Sequence, residues 1–434
     1  MKYRREIIVG LVALAGVGCS SSDSSSGTPV VNPLGDATVV TNNPTTTYPW
    51  SSLVGKTNVS AFIRGAETGT TVYQRPIKIV SAYTSAGEDV FAMVANGTDA
   101  YGPGDSGSPI LSSDGRVIGA LYAGDDPQHV YGVSITQEKT TGQTAAVKRP
   151  AVSGTPASSW APKQWFFAGS ALAMPLVTKR SQFALTHYSG VLAGRSAPSR
   201  SLTPANSALI AGVRYASAIL NGPDAQLYVS GTYTYQLPSG QWVATGHAIE
   251  GQGPAQWPVF PDYVDFIEND GTVESHIAGS ASGTLKFDGP FGSLIDLSSV
   301  PTLLPVTVTT KLDGVTSGPV THDTILDRGS SFEEEGVDLG GVLPVIALIG
   351  TSSKVITGGA TITVYQGGVA TQSVFPDNGL GTISTEGPET PSVFYNDLET
   401  AVDTAWANAY FNDPTTQVEK IVVSVTMTSS PFHP

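Results

Sequence analysis

Gly104-Asp105-Ser106-Gly107-Ser108-Pro109-Ile110-Leu111 is the stretch from which the fold of this chain can be read. A glycine-rich loop runs into an apolar pair, and Ser113-Asp114-Gly115-Arg116 then turns the chain back into Val117-Ile118. Asp-Gly between two apolar runs is a strong hairpin signal, so these runs are expected as paired antiparallel strands. Further short apolar runs lie outward at 59–63, 77–83, 90–95 and 130–135, each bounded by turn residues. Strands at this spacing predict an antiparallel barrel or sandwich.

Composition agrees. Charged residues make up 13% of the 434 positions while glycine (48) and proline (30) are frequent, which favours turn-rich β structure over helical bundles. The length exceeds what a single core normally supports, so two globular units are expected, at 49–295 and 296–434. A net charge of −14, with 22 basic residues that form no sizeable cluster beyond residue 5, excludes a nucleic-acid binder.

The N-terminus reads as a targeting segment. Lys2, Arg4 and Arg5 precede a mostly apolar run at 7–18, too short to span a bilayer but suited to a signal peptide. Gly16-Val17-Gly18-Cys19 resembles the lipobox of bacterial lipoproteins, with Gly16 where leucine is commoner. The expectation is a signal peptide at 1–19, lipidation of Cys19 and a Ser-rich tether at 20–48. This places the protein in the bacterial cell envelope, lipid-anchored at the outer membrane or cell surface, or secreted. Cys19 is the only cysteine, so no intrachain disulfide can form.

Downstream of the first strands, 138–163 reads as an excursion between halves. Strand-like runs resume at 166–177, 208–219, 227–237 and 241–245, and Pro238-Ser239-Gly240 is a hairpin turn that delivers Gly246-His247 to a strand end. Beyond residue 300 the runs lengthen (306–312, 360–365, 420–427). One helix is expected there: Ser392 as cap, Phe394, Leu398, Val402, Trp406 and Tyr410 as a core-facing stripe, Pro414 as its limit. Glu333-Glu334-Glu335 reads as a solvated loop, and Trp242 and Trp257 as core rather than cleft residues.

A nucleophilic serine needs a base to take its proton and donors to hold the oxyanion. The conformational freedom of Gly104 lets its own N–H and that of Ser106 converge as an oxyanion hole, with Ser106 as nucleophile. All histidines (129, 187, 247, 276, 322, 433) follow this loop, so any base comes later in the chain. His129 beside Asp125 and Asp126 reads as a polar loop; His187, His276 and His322 read as ordinary hydrogen-bonded strand residues. No P-loop, dinucleotide fingerprint or paired-cysteine motif occurs, and neither a cofactor nor a metal is called for.

The loop, the hairpin after it, Val117-Ile118-Gly119-Ala120 and Tyr131-Gly132-Val133-Ser134-Ile135 resemble the serine segment of the stage IV sporulation protein B family of serine peptidases. Gly231-Thr232-Tyr233-Thr234-Tyr235, Thr245-Gly246-His247-Ala248 and Gly253-Pro254-Ala255-Gln256-Trp257-Pro258 are similar to later segments of its large secreted bacterial members. The resemblance covers roughly 50–290. It implies a mainly β protein with a chymotrypsin-like β-barrel peptidase domain followed by a β-rich C-terminal domain, a protein or peptide substrate, Ser106 as nucleophile and His247 as general base. The chain departs from the family in Asp105, in Ala248 and in placing serine before histidine. For the residue orienting the imidazole, Asp89 ranks before Asp99 and Asp105. Two other readings stay open: a catalytically inert surface protein that binds or scaffolds, and a peptidase that cuts only itself, within 138–163.

Overall fold

The computed structural model describes residues 37–135 except 86–87, 98 and 103; 164–169, 177 and 184–188; 209–327 except 246–247, 252, 268–272, 278 and 290–291; and 330, 332–349, 354–375, 383–384 and 390–431. The expected signal peptide, Cys19, most of the expected tether and 138–163 lie outside the described residues.

The chain is mainly β and builds two closed six-stranded barrels in a chymotrypsin-like arrangement. Barrel one is formed by β1 (Val59–Thr68), β2 (Thr71–Ser85), β3 (Glu88–Ala95), β4 (Pro109–Ser112), β5 (Val117–Gly124) and β6 (His129–Ser134). Its ring runs β1-β2-β3-β6-β5-β4 and closes on β1. Barrel two is formed by β7 (Arg214–Asn221), β8 (Gln226–Gln236), β9 (Trp242–Ala244), β10 (Gly253–Ile267), β11 (Gly283–Gly289) and β12 (Gly292–Asp296). Its ring, β7-β8-β9-β12-β11-β10, repeats the first strand for strand.

Both hairpins expected from turn residues are present. β4 and β5 pair through Ile110↔Gly119, with Gly115 at φ +82° in the turn and Asp114 accepting from Ser112 Oγ and from Arg116 Nε (2.8 Å). β8 and β9 are joined through Gly240 at φ +89°. Alternation along the strands fills barrel one with Ile63, Ile79, Phe91, Ile110 and Leu121. Trp242 and Trp257 are core residues of barrel two, packed on Tyr233 and Phe332.

Beyond barrel two, β13 (Leu304–Leu312), β14 (Val315–Thr324), β15 (Lys354–Gln366), β16 (Val369–Phe375) and β17 (Val418–Pro431) form a sheet ordered β16-β15-β17-β13-β14. Its edge strand β14 pairs with β7 at Leu220↔Thr324, so one sheet and one hydrophobic cluster run from the C-terminal unit into barrel two. Two helices, not one, cover it. α2 (Thr390–Asn412) buries Phe394, Leu398, Val402 and Trp406, as the four-residue period predicts, but begins ahead of Ser392, which therefore is not its cap. α1 (Phe332–Ile349) corrects the loop expected around the glutamates: Glu333 is buried in its first turn.

Candidate active site

The two barrels place their motifs at equivalent points. In barrel one the connection from third to fourth strand carries the Ser106 loop; in barrel two the corresponding connection, from β9 to β10, carries Gly246-His247. The equivalence follows from the shared ring order, in which each such connection crosses one barrel end.

Barrel two holds the Ser106 loop directly. Thr232 N donates to Ser106 O (2.9 Å), Thr234 Oγ1 to Gly107 O (2.6 Å) and Thr232 Oγ1 to Gly104 O (3.3 Å). On its own side the loop is pinned by Gly107 N to Leu121 O (2.9 Å) and Leu121 N to Ser108 O (3.0 Å). Gly107 has φ +92°, and a Cβ there would overlap Thr232 O and lie 2.5 Å from Thr245 N. A side chain is thus excluded by conformation and by space. Ser106 itself is 2% exposed at this junction. Among the described residues no protein acceptor takes the N–H of Gly104 or of Ser106, the two groups expected to form the oxyanion hole.

Thr245, which touches Gly107, is two residues ahead of His247. Its φ of +54° is an outlier for a β-branched residue, the kind of strain that persists only where neighbours enforce it. Here they do: Thr245 N donates to Thr232 O (3.2 Å) and its hydroxyl bonds the buried Tyr215 hydroxyl. His247 and Gly246 lie outside the described residues. Chain enters them from Thr245 and leaves them at the buried Ala248.

The segment after His247 is clamped by an acid that the sequence reading missed. Asp288, at the end of β11 and 3% exposed, accepts the backbone N–H groups of Ile249 (2.8 Å), Glu250 (2.5 Å) and Gly251 (2.6 Å), with Ser293 Oγ at 3.4 Å. In sequence it is an aspartate before Gly289-Pro290, indistinguishable from a turn residue. Only ring closure brings it to the His247 connection.

The three acids ranked from sequence are elsewhere or otherwise engaged. Asp89 is at the start of β3, in the hairpin with β2, where Thr84 Oγ1 donates to it (2.6 Å). The Ser106 loop leaves the other end of β3, roughly 20 Å away at about 3.3 Å per residue, so the structure does not bring Asp89 to the site. Asp99 accepts from Arg75 Nη1 (3.0 Å). Asp105 turns back into the barrel junction, accepting from Gly102 N (3.0 Å) and Arg214 Nη1 (3.4 Å). Burial, only partly offset by Arg214, raises its carboxyl to about 6. It adjoins a small cavity lined by Glu67, Tyr73, Arg75, Tyr101 and Ser108, where burial likewise raises Glu67 to about 7 against the pull of Arg75.

Three of the other histidines lie beside acids away from the loop. His129 Nδ1 lies 2.8 Å from Asp126 Oδ2 on the surface, and His276 Nδ1 lies 2.9 Å from Asp265 Oδ2. The buried His322 has Nε2 2.6 Å from Asp224 Oδ1, short but off the hydrogen-bonding axis. His187 is on a strand at Ala184–Tyr188, and His433 lies outside the described residues. One carboxylate group with metal-ligand spacing exists among the described residues, Glu334, Asp338 and Asp403 on α1 and α2, in the helical layer rather than at the barrel junction. No helix among them is long and apolar enough to cross a membrane.

Compared with known protein families and with curated proteins, the chain matches neither a family model nor a curated sequence.

Proposed function

We propose that the protein is a serine endopeptidase of the bacterial cell envelope, with Ser106 as nucleophile, His247 as general base and Asp288, in place of Asp89, as the acid that holds the histidine segment. The observation that carries this reading is the contact of Gly107 with Thr245: it joins the serine loop of one barrel to the strand end of the other that leads into Gly246-His247. Serine preceding histidine is then no obstacle, because each motif sits in the same connection of its own barrel and their meeting depends on barrel docking.

In this mechanism His247 takes the Ser106 proton as Oγ attacks the scissile carbonyl, and the oxyanion that forms accepts from Gly104 N–H and Ser106 N–H. Collapse expels the amine, which receives the proton from His247. Water, activated by the same base, then hydrolyses the acyl-enzyme and regenerates the Ser106 hydroxyl. No cofactor enters. The lipobox-like segment ending in Cys19 supports anchoring at the membrane, with 20–48 as a spacer.

One observation favours the second reading, a catalytically inert surface protein with a binding or scaffolding role: Ser106 is 2% exposed. A fluorophosphonate probe applied to the purified chain, with the labelled residue mapped by mass spectrometry, separates the two. Labelling at Ser106 that disappears in His247→Ala is expected. A well-folded protein that never labels overturns the peptidase reading. Intact-mass analysis of the same preparation tests for self-cleavage within 138–163.

A further inference from the structure

Arg214 is the most constrained cation at the barrel junction. It stands at the start of β7, 1% exposed, with its guanidinium shared between the two barrels. Nη1 reaches Asp105 Oδ1 of barrel one (3.4 Å), Nε reaches Asp262 Oδ2 on β10 (3.3 Å), and Nη2 donates to Ser230 Oγ on β8 (2.9 Å). Ser230 Oγ also bonds Asp262, closing a small network behind the arginine. The same guanidinium lies against Gly104, whose φ is +92° and where a Cβ would overlap it. Two oxyanion-hole residues are therefore gripped from behind: Gly104 by the arginine plane and by Thr232 Oγ1, and Ser106 through its carbonyl bond to Thr232 N.

We infer that Arg214 is a positioning residue, which sets the oxyanion-binding conformation of the Gly104–Ser106 peptides from the opposite barrel; this rests on the peptidase reading. The planar fork suits the role, since its donors hold fixed directions that an ammonium group cannot reproduce. Undocking of the barrels would withdraw the arginine and release the loop, so the hole is complete only when the histidine barrel is seated.

The charges around Asp105 decide how this responds to pH. Arg75 on β2, Glu67 on β1, Asp99 and Tyr101 on its own connection, and Arg214 with Asp262 from barrel two all face it or its immediate partners. Protonating Asp105 removes the anion that Arg214 holds. Below about pH 6 the grip weakens, adding to the loss caused by protonation of the base.

The test uses the purified full chain, wild type and Arg214→Lys, Arg214→Met and Asp105→Asn. Two readouts are taken: fluorophosphonate labelling of Ser106 from pH 5 to 9, and hydrogen exchange of peptides covering 99–108. Arg214→Lys is expected to fold, to label about a hundredfold more slowly, the cost of one lost oxyanion donor, and to exchange faster over 99–108. In both Arg214→Met and Asp105→Asn the acid limb of labelling retains only the base, because the Arg214–Asp105 pair through which Asp105 acts is gone. A merely structural arginine would lower stability and leave the limb in place. Folded Arg214→Lys with wild-type rate and exchange overturns the assignment, and should Arg214→Met not fold, this variant decides alone. A wild-type chain that never labels sinks the peptidase reading and the oxyanion role together.

Discussion

Replacing Gly107 by alanine tests the docking of the two barrels at its tightest point. Two costs add. At φ +92° a Cβ meets its own carbonyl, about 1–2 kcal/mol for an L-residue in left-handed backbone. The same Cβ would overlap Thr232 O and lie 2.5 Å from Thr245 N, backbone atoms that cannot swing aside, and overpacking of this kind costs about 1–3 kcal/mol. Gly115 supplies the control, because it has φ +82° with nothing within 4 Å of a Cβ and so bears only the first cost. Urea unfolding should therefore show Gly107→Ala destabilised by about 2–5 kcal/mol and Gly115→Ala by about 1–2 kcal/mol. Labelling of Ser106 should fall roughly a hundredfold or more in the folded fraction of Gly107→Ala alone, since a misplacement of about 1 Å costs that much. Equal losses in the two variants would refute the claim that the Ser106 loop is pressed against the strand end leading to His247.

Asp288→Asn turns one acceptor facing the Ile249, Glu250 and Gly251 N–H groups into a donor, so it should lower stability by about 1–3 kcal/mol and, by shifting the His247 connection by about 1 Å, slow Ser106 labelling roughly a hundredfold in the folded fraction, whereas Asp89→Ala should leave labelling unchanged; the reverse pattern would restore Asp89 as the orienting acid. Stability should fall as pH rises from about 4 to 7. Asp105 and Glu67 have folded-state values raised to about 6 and about 7, so in that window the native state holds protons the unfolded chain has released. Urea midpoints between pH 4.5 and 7.5 check the sign, and Glu67→Gln should flatten the slope; a midpoint that rises across this window in both proteins would contradict the burial of these acids.

Much of the fold was legible because it is written locally. Asp-Gly and Ser-Gly turns between apolar runs specify the β4–β5 and β8–β9 hairpins, and the spacing of Phe394, Leu398, Val402 and Trp406 specifies one face of α2. α1 was not legible. It is buried on nearly all sides, so no apolar period marks it, and Pro344 with three internal glycines reads as a loop; Gly341 in fact lets it close on Val402 of α2. The glutamates at its start look solvated for the same reason: nothing near them in sequence shows what will cover them.

By itself the sequence determined the serine loop and its glycines, the strand before Gly246-His247, the mainly β character and the acidic charge, since these depend on turn chemistry, short periodicity and composition. Only the tertiary structure decided which acids stand beside which loop. Asp288 is 39 residues from Ile249 in sequence yet bonded to it, Arg214 joins Asp105 to Asp262, and Asp89, ranked first from the sequence, is left at the far end of its strand from the serine loop. Pairings of this kind are fixed by closure of each ring and by the docking of one ring on the other, and neither event leaves a local pattern in the chain.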